Sequence, residues 1–220
     1  MTQMEITVRG SHSVYAPPQR ATASLQVAID GPTSDEVFAG VNRTAAAVRE
    51  SLEPLHRPDT GPVTWWSSDQ IRTWANRPYH DEGVQLPLVH HARLGFQVKF
   101  SEFVEMGRWI SGVAALPGAS ITGIEWALTA DHRTLLVAQV RAAAVRDAES
   151  KAKEYAAALG VTTVRAIAIA DAGMLGEGLH PVTASGASFA RMKSSDNGGV
   201  EFAPQDVAVS ADIDARFLAG

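Results

Sequence analysis

Apolar and polar residues alternate from the start of the chain. Met4, Ile6 and Val8 interleave with Glu5, Thr7 and Arg9, which predicts a strand with one buried face. After Ala16-Pro17-Pro18 the alternation resumes. Ala23, Leu25, Val27 and Ile29 lie on one side, and Thr22, Ser24 and Gln26 on the other. Thr33 followed by Glu36 fits a capping box, so a helix is expected from about Ser34 to Leu52, ending before Pro54. Residues 63–74, VTWWSSDQIRTW, read as one strand, and if it is unbroken Trp74 shares the parity of Trp66. The clearest strand runs from Arg93 to Phe100, with Leu94, Phe96, Val98 and Phe100 facing one way. Between these two strands lies an uneven polar connection, residues 75–91.

A second helix is predicted over about Glu102 to Leu116, stopped by Pro117-Gly118, and a strand through Ile124, Trp126 and Leu128. The longest helix follows, with Asp131 as its expected N-cap. Its apolar stripe reads Leu136, Val140, Ala144, Ala148, Ala152, Tyr155 and Leu159. Asp147 with Lys151, and Glu149 with Lys153, are spaced as exposed pairs with the acid N-terminal. Gly160 can close that helix in a left-handed conformation, with Val161 folding back on its last turn. Residues 166–170 form another strand, 172–204 read as a flexible loop, and Val207 to Phe217 alternates as a final strand.

These elements run ββαββαβαββ and predict an α+β fold: largely antiparallel sheet, in one or more pieces, with helices packed on one face. The 220 residues form either a single domain, 1–220, or two α+β sub-domains, about 1–100 and 101–220, that share strands.

Composition narrows the chemistry. There are no cysteines, which excludes disulfides, thiolate metal sites and a cysteine nucleophile. A net charge of -5 without a dense basic cluster argues against a nucleic-acid partner. No apolar run approaches the ~18 residues of a membrane-spanning helix. The first residues lack the basic and apolar regions of an export signal, so a cytoplasmic location is expected.

Four segments together resemble the SIMPL-like domain family, named for a kinase-associated signalling molecule and widespread in bacteria. ITVRGSHSVYAPPQRATASLQVAI is similar to the family's opening "I-x-V-x-G-x-G" strand, proline turn and second strand, although Ser11-His12 departs from the usual glycine after Gly10. Leu94 to Phe100 resembles its "G-[YF]-x-[AV]" strand. Ala119 to Thr129, with AAAVRDAESKAKEYAAALGV, resembles its strand and alanine-rich helix. VAVSADIDARF resembles its closing strand. The resemblance implies an α+β fold, a tendency to associate and loose links to stress tolerance. It supplies no catalytic residue. Many bacterial relatives carry export signals, a pattern that the first residues here do not show.

Two groups of residues are candidate sites. Trp65, Trp66 and Trp74, with Tyr79, Leu86 and Leu88, could form an exposed aromatic row that docks a partner or a second copy. The same rings could instead be covered within the chain, or stack on carbohydrate or bases. His90 and His91, with His80, Asp81 and Glu82, carry the alternative reading, a small-molecule or metal-binding protein or enzyme that uses the His80–His91 hairpin as a metal or acid–base site. Adjacent histidines on a strand point oppositely and converge only on a loop. No H-E-x-x-H, G-x-S-x-G or phosphate-loop spacing occurs; Gly173, Gly176 and Gly178 do not open a helix. The sequence therefore predicts a non-enzymatic protein with no cofactor, a homo-oligomer or partner of an unidentified protein, with no nucleic acid and no membrane span.

Overall fold

The computed structural model describes residues 3–79, 85–175 and 203–220. They fall into two compact units, one containing the described residues up to Pro17, residues 128–175 and Asp206–Gly220, and the other containing Pro18–Ala127 with residues 203–205. The division lies at Pro17/Pro18 and Ala127/Leu128 rather than near residue 100. Strand pairing is the reason: the first strand pairs with the last, and the second pairs within the intervening segment.

The first unit is a three-stranded antiparallel sheet, β1 (Met4–Ala16), β8 (Val207–Ala219) and β7 (Val164–Asp171), in the order β1-β8-β7, with α3 (Ala130–Ala158) packed on it. Its core joins Ile6, Val8, Ile213 and Phe217 to Ala144, Ala148, Ala152 and Ala156 of α3. The buried line on α3 runs in strict steps of four, Val140 through Ala156. The expected stripe through Tyr155 and Leu159 is not what is buried; both are exposed. Repeated steps of four follow one helical ridge, inclined to the axis, and this is the ridge that crosses the strands. Alanines on that ridge bring the backbones together. A Cβ on Gly10 would stand 2.0 Å from Ala144 O and 2.8 Å from Ala148 Cβ, so only glycine fits. Thr129, not Asp131, caps α3, its hydroxyl accepting from His132 N–H at 3.4 Å. At the other end Gly160 takes φ +76°, and Val161 N–H donates to Ala156 O at 2.9 Å.

The second unit is a five-stranded antiparallel sheet with two helices. Its strands are β2 (Arg20–Gly31), β3 (Val63–Ser68), β4 (Arg72–Asn76), β5 (Val89–Phe100) and β6 (Ala119–Ala127); the order is β3-β5-β2-β6, with β4 also paired to β5. Helices α1 (Ser34–Leu52) and α2 (Phe103–Val113) share one core with the sheet. Large side chains fill it: Leu25, Leu52, Leu94, Phe96, Phe100, Met106 and Ile110 are almost wholly buried. Thr33 caps α1 as expected, accepting from Glu36 N–H at 3.4 Å.

One predicted strand is two. From Ser68 to Arg72 the chain advances four residues while the paired strand retreats three, from Phe96 to Arg93. The extra residue ends β3 and reverses the parity of β4. Asp69 N–H donates to Gly95 O at 2.9 Å at the break, and Ile71 packs on the core. The loop prediction for 172–204 falls mostly outside the described residues. Its first residues, up to Leu175, form a turn held by Asp214, which accepts Gly173 N–H at 2.6 Å.

Candidate interaction face

In the Pro18–Ala127 unit the even positions of β5, Ala92 to Phe100, are buried beneath the helices. The odd positions therefore lie on the opposite face, together with their cross-strand partners. Lys99 is paired with Trp65 and with Thr22; Gln97 with Ser67 and Ser24; His91 with Trp74 and Asp30. Trp65 and Trp74 thus share this face. They are 44% and 41% exposed. Trp66, paired with Val98, packs against the core instead. The parity reversal at Asp69–Ile71 accounts for this regrouping of the tryptophans: Trp74 joins Trp65, not Trp66.

Each exposed indole has a cation beside it. The Lys99 ammonium lies 5.7 Å from the Trp65 ring centroid, and the Arg93 guanidinium 4.9 Å from that of Trp74. His91 stacks on Trp74 at 5.0 Å, with the rings 14° from parallel. Its Nδ1 lies 2.6 Å from Asp30 Oδ1 and its Nε2 2.5 Å from Asn76 Oδ1. This mostly buried imidazole therefore links β2, β5 and β4 and orients Trp74. The two indoles are separated by the eight-residue step from His91 to Lys99, about 27 Å along the strand.

The other predicted residues divide. Tyr79 is 88% exposed and Leu88 is exposed, whereas Leu86 is half-buried and its carbonyl accepts from Arg77 at 3.1 Å. His90 and His91 are not at a loop tip. Both belong to β5, where adjacent side chains point to opposite faces, so they do not converge. His80, Asp81 and Glu82 lie outside the described residues. Among the described residues no group of three or more His, Asp or Glu side chains is placed to hold a metal.

Sequence reading missed Asp30, Asn76, Arg93 and Lys99 as neighbours of the indoles. Arg93 and Lys99 were visible as the polar positions of an alternating strand, but nothing local showed which residues stand across from them.

A groove of about 440 Å³ opens between α1 and α2, lined among others by Ser51, Leu55, Trp109, Gly112 and Val113. Its floor is already satisfied: Trp109 Nε1 donates to Ser51 Oγ at 3.0 Å. Among the described residues no helix is long and apolar enough to cross a membrane.

A family model described as SIMPL, "Protein of unknown function (DUF541)", matches residues 6–217, nearly the whole chain. The chain belongs to the SIMPL family. The match spans both compact units, so the SIMPL unit is the pair of sheets together and not either one alone. The comparison with curated proteins gave no match.

Proposed function

We propose that this SIMPL-family protein acts without catalysis, as a self-associating module that works through protein contacts. The observation that carries this reading is the pair of half-exposed indoles, Trp65 and Trp74, on a sheet face that neither helix of its unit covers. Large aromatic rings with flanking cations are the side chains that contribute most where two proteins meet.

The charges of the face favour a second copy as the partner. Arg72, Arg93 and Lys99 share it with Asp30, Asp69 and Glu125, so neither sign dominates. A face of mixed sign can pair with itself across a two-fold axis, and it does not draw in a polyanion.

Light scattering after size exclusion, over a dilution series, tests the reading. The wild-type protein should show a multiple of 23.4 kDa. Replacing Trp65 and Trp74 together by Ser should move the mass to that of a monomer, with the far-UV circular dichroism unchanged. A folded double variant that keeps the wild-type mass refutes the assignment of this face.

A further inference from the structure

The outer edge of β1 is closed in an unusual way. β1 pairs with β8 along its whole length, Met4–Ala16, and in the order β1-β8-β7 no strand of the described residues lies on its other side. In an antiparallel ladder alternate residues turn their N–H and C=O away from the partner strand. Arg9 and Ser11 belong to this outward set, and both are engaged by α3. Lys151 Nζ donates to Arg9 O at 3.0 Å, and Ser11 N–H donates to Asp147 Oδ2 at 2.8 Å. Lys151 and Asp147 are themselves joined at 2.6 Å. A donor for one carbonyl and an acceptor for the N–H two residues on is what one residue of a parallel neighbouring strand supplies. Here two side chains, one helical turn apart, take that residue's place. The close approach permitted by Gly10 brings them within reach.

We propose that the outer edge of β1 is a strand-pairing surface for a second copy of this chain, and that Asp147 and Lys151 hold it shut. An edge of thirteen residues is long for a strand, and Met4–Ala16 contains neither Lys nor Pro, the residues that commonly guard edges. Charge favours a copy of the same edge as the partner. Glu5 and Arg9 lie on the face of the sheet away from α3, beside Arg216 and Asp214 respectively. Antiparallel pairing of two β1 strands about Thr7 sets each Glu5 opposite the partner's Arg9. The same register pairs Ser11 with the partner's Gln3, and so uses the Arg9 carbonyl and Ser11 N–H that the clasp now occupies. The clasp thereby confines assembly to surfaces other than this edge, the tryptophan face included.

The test uses the full chain with Trp65 and Trp74 already replaced by Ser, so that the edge is read alone. Adding Asp147→Ala with Lys151→Met, which leaves no side-chain acceptor for Ser11 N–H and no donor for Arg9 O, should tighten dimerisation at least about tenfold in a dilution series. Ser11→Pro, which removes the outward N–H without touching the β8 ladder, should then abolish the gain. A folded Asp147→Ala/Lys151→Met protein with unchanged mass overturns the proposal, as does a gain that survives Ser11→Pro. Should that pair of substitutions impair folding, Asp147→Leu with Lys151→Leu empties the same two places and must shift the mass in the same direction; no shift overturns the proposal equally.

Discussion

The two sheets solve the same problem with opposite materials. Each is antiparallel with helix on one face, α3 on the first and α1 with α2 on the second. In the unit containing β1, β7 and β8 the helix ridge is alanine, the contact is made at Gly10, and charged side chains finish the packing at Arg9, Asp147 and Asp214. In the Pro18–Ala127 unit the core is phenylalanine, leucine, valine and methionine, and the far face is left with two indoles in water. Small residues give a short interlayer distance and little tolerance. Large residues give burial, with slack at the helix surface, as the α1–α2 groove shows. The contrast separates the two sheets: the alanine sheet is sensitive to added volume, and the aromatic sheet leaves two half-exposed indoles on the face away from its helices.

Adding one methyl group at Gly10 breaks the comparison most sharply. The new Cβ meets the backbone oxygen of Ala144, which cannot swing aside as a side chain can. Gly10→Ala should cost about 2–3 kcal/mol, the upper range for overpacking. Amide hydrogen exchange should show the loss in β1, β8 and α3 while β2 and β5 stay protected. Equal loss in both sheets would mean that the two units unfold as one, and that their packing styles do not matter separately.

Asp214 gives a smaller, pH-dependent break. It is only 8% exposed, and it accepts from Arg9 Nε at 2.8 Å and from Gly173 N–H. Hydrogen bonding to Arg9 holds its carboxyl below the ordinary carboxylate range; burial opposes this, and the Gly173 N–H assists it. A carboxyl lowered in the folded state stabilises fully above its unfolded value, near ~4, and that contribution is lost as pH falls through the lowered folded value. Asp214→Asn should therefore destabilise the protein at pH 7 by on the order of 1–2 kcal/mol. The gap to wild type should close as the solution is acidified, in denaturant titrations at successive pH values. Asp147, lowered by Lys151 and Ser11 N–H, adds to the acid sensitivity of the same sheet with the same sign. A pH-independent gap at Asp214 would assign its role to shape and not to charge.

Much of this architecture was legible locally. The Thr33 cap, the alternation of β5 and β8, and the alanine helix with its Gly160 stop all rest on interactions within a few residues, which sequence period and cap chemistry report directly. What was not legible depends on partners far away. The register that sets Arg9 against Asp214 spans the chain, and the Asp147–Lys151 pair reads as an ordinary surface pair until β1 is placed beside it. The tryptophan face failed for a related reason. A single extra residue between Ser68 and Arg72 reverses parity, and no local pattern in SSDQIR announces it. Assembly is harder still, because a half-exposed indole looks the same in sequence as one folded under a hairpin.

The mildest prediction concerns Gly112, at the surface of a helix. Gly112 lies within α2 and lines the α1–α2 groove, and a Cβ built there meets nothing within 4 Å. Glycine in the middle of a helix costs about 0.5–1 kcal/mol relative to alanine, through the backbone freedom it loses on folding, and Gly112, in the last turn of α2, stands at the lower end of that range. Gly112→Ala should therefore stabilise the protein by about that amount, measured as a higher denaturant midpoint with an unchanged slope. The same substitution at Gly10 should destabilise it, so identical chemistry takes opposite signs in the two units. The sign follows from what the added methyl meets, the Ala144 backbone in one case and open space in the other. A destabilising Gly112→Ala would mean that α2 closes tightly over the groove in solution, and that the looser packing assigned to the aromatic unit is wrong.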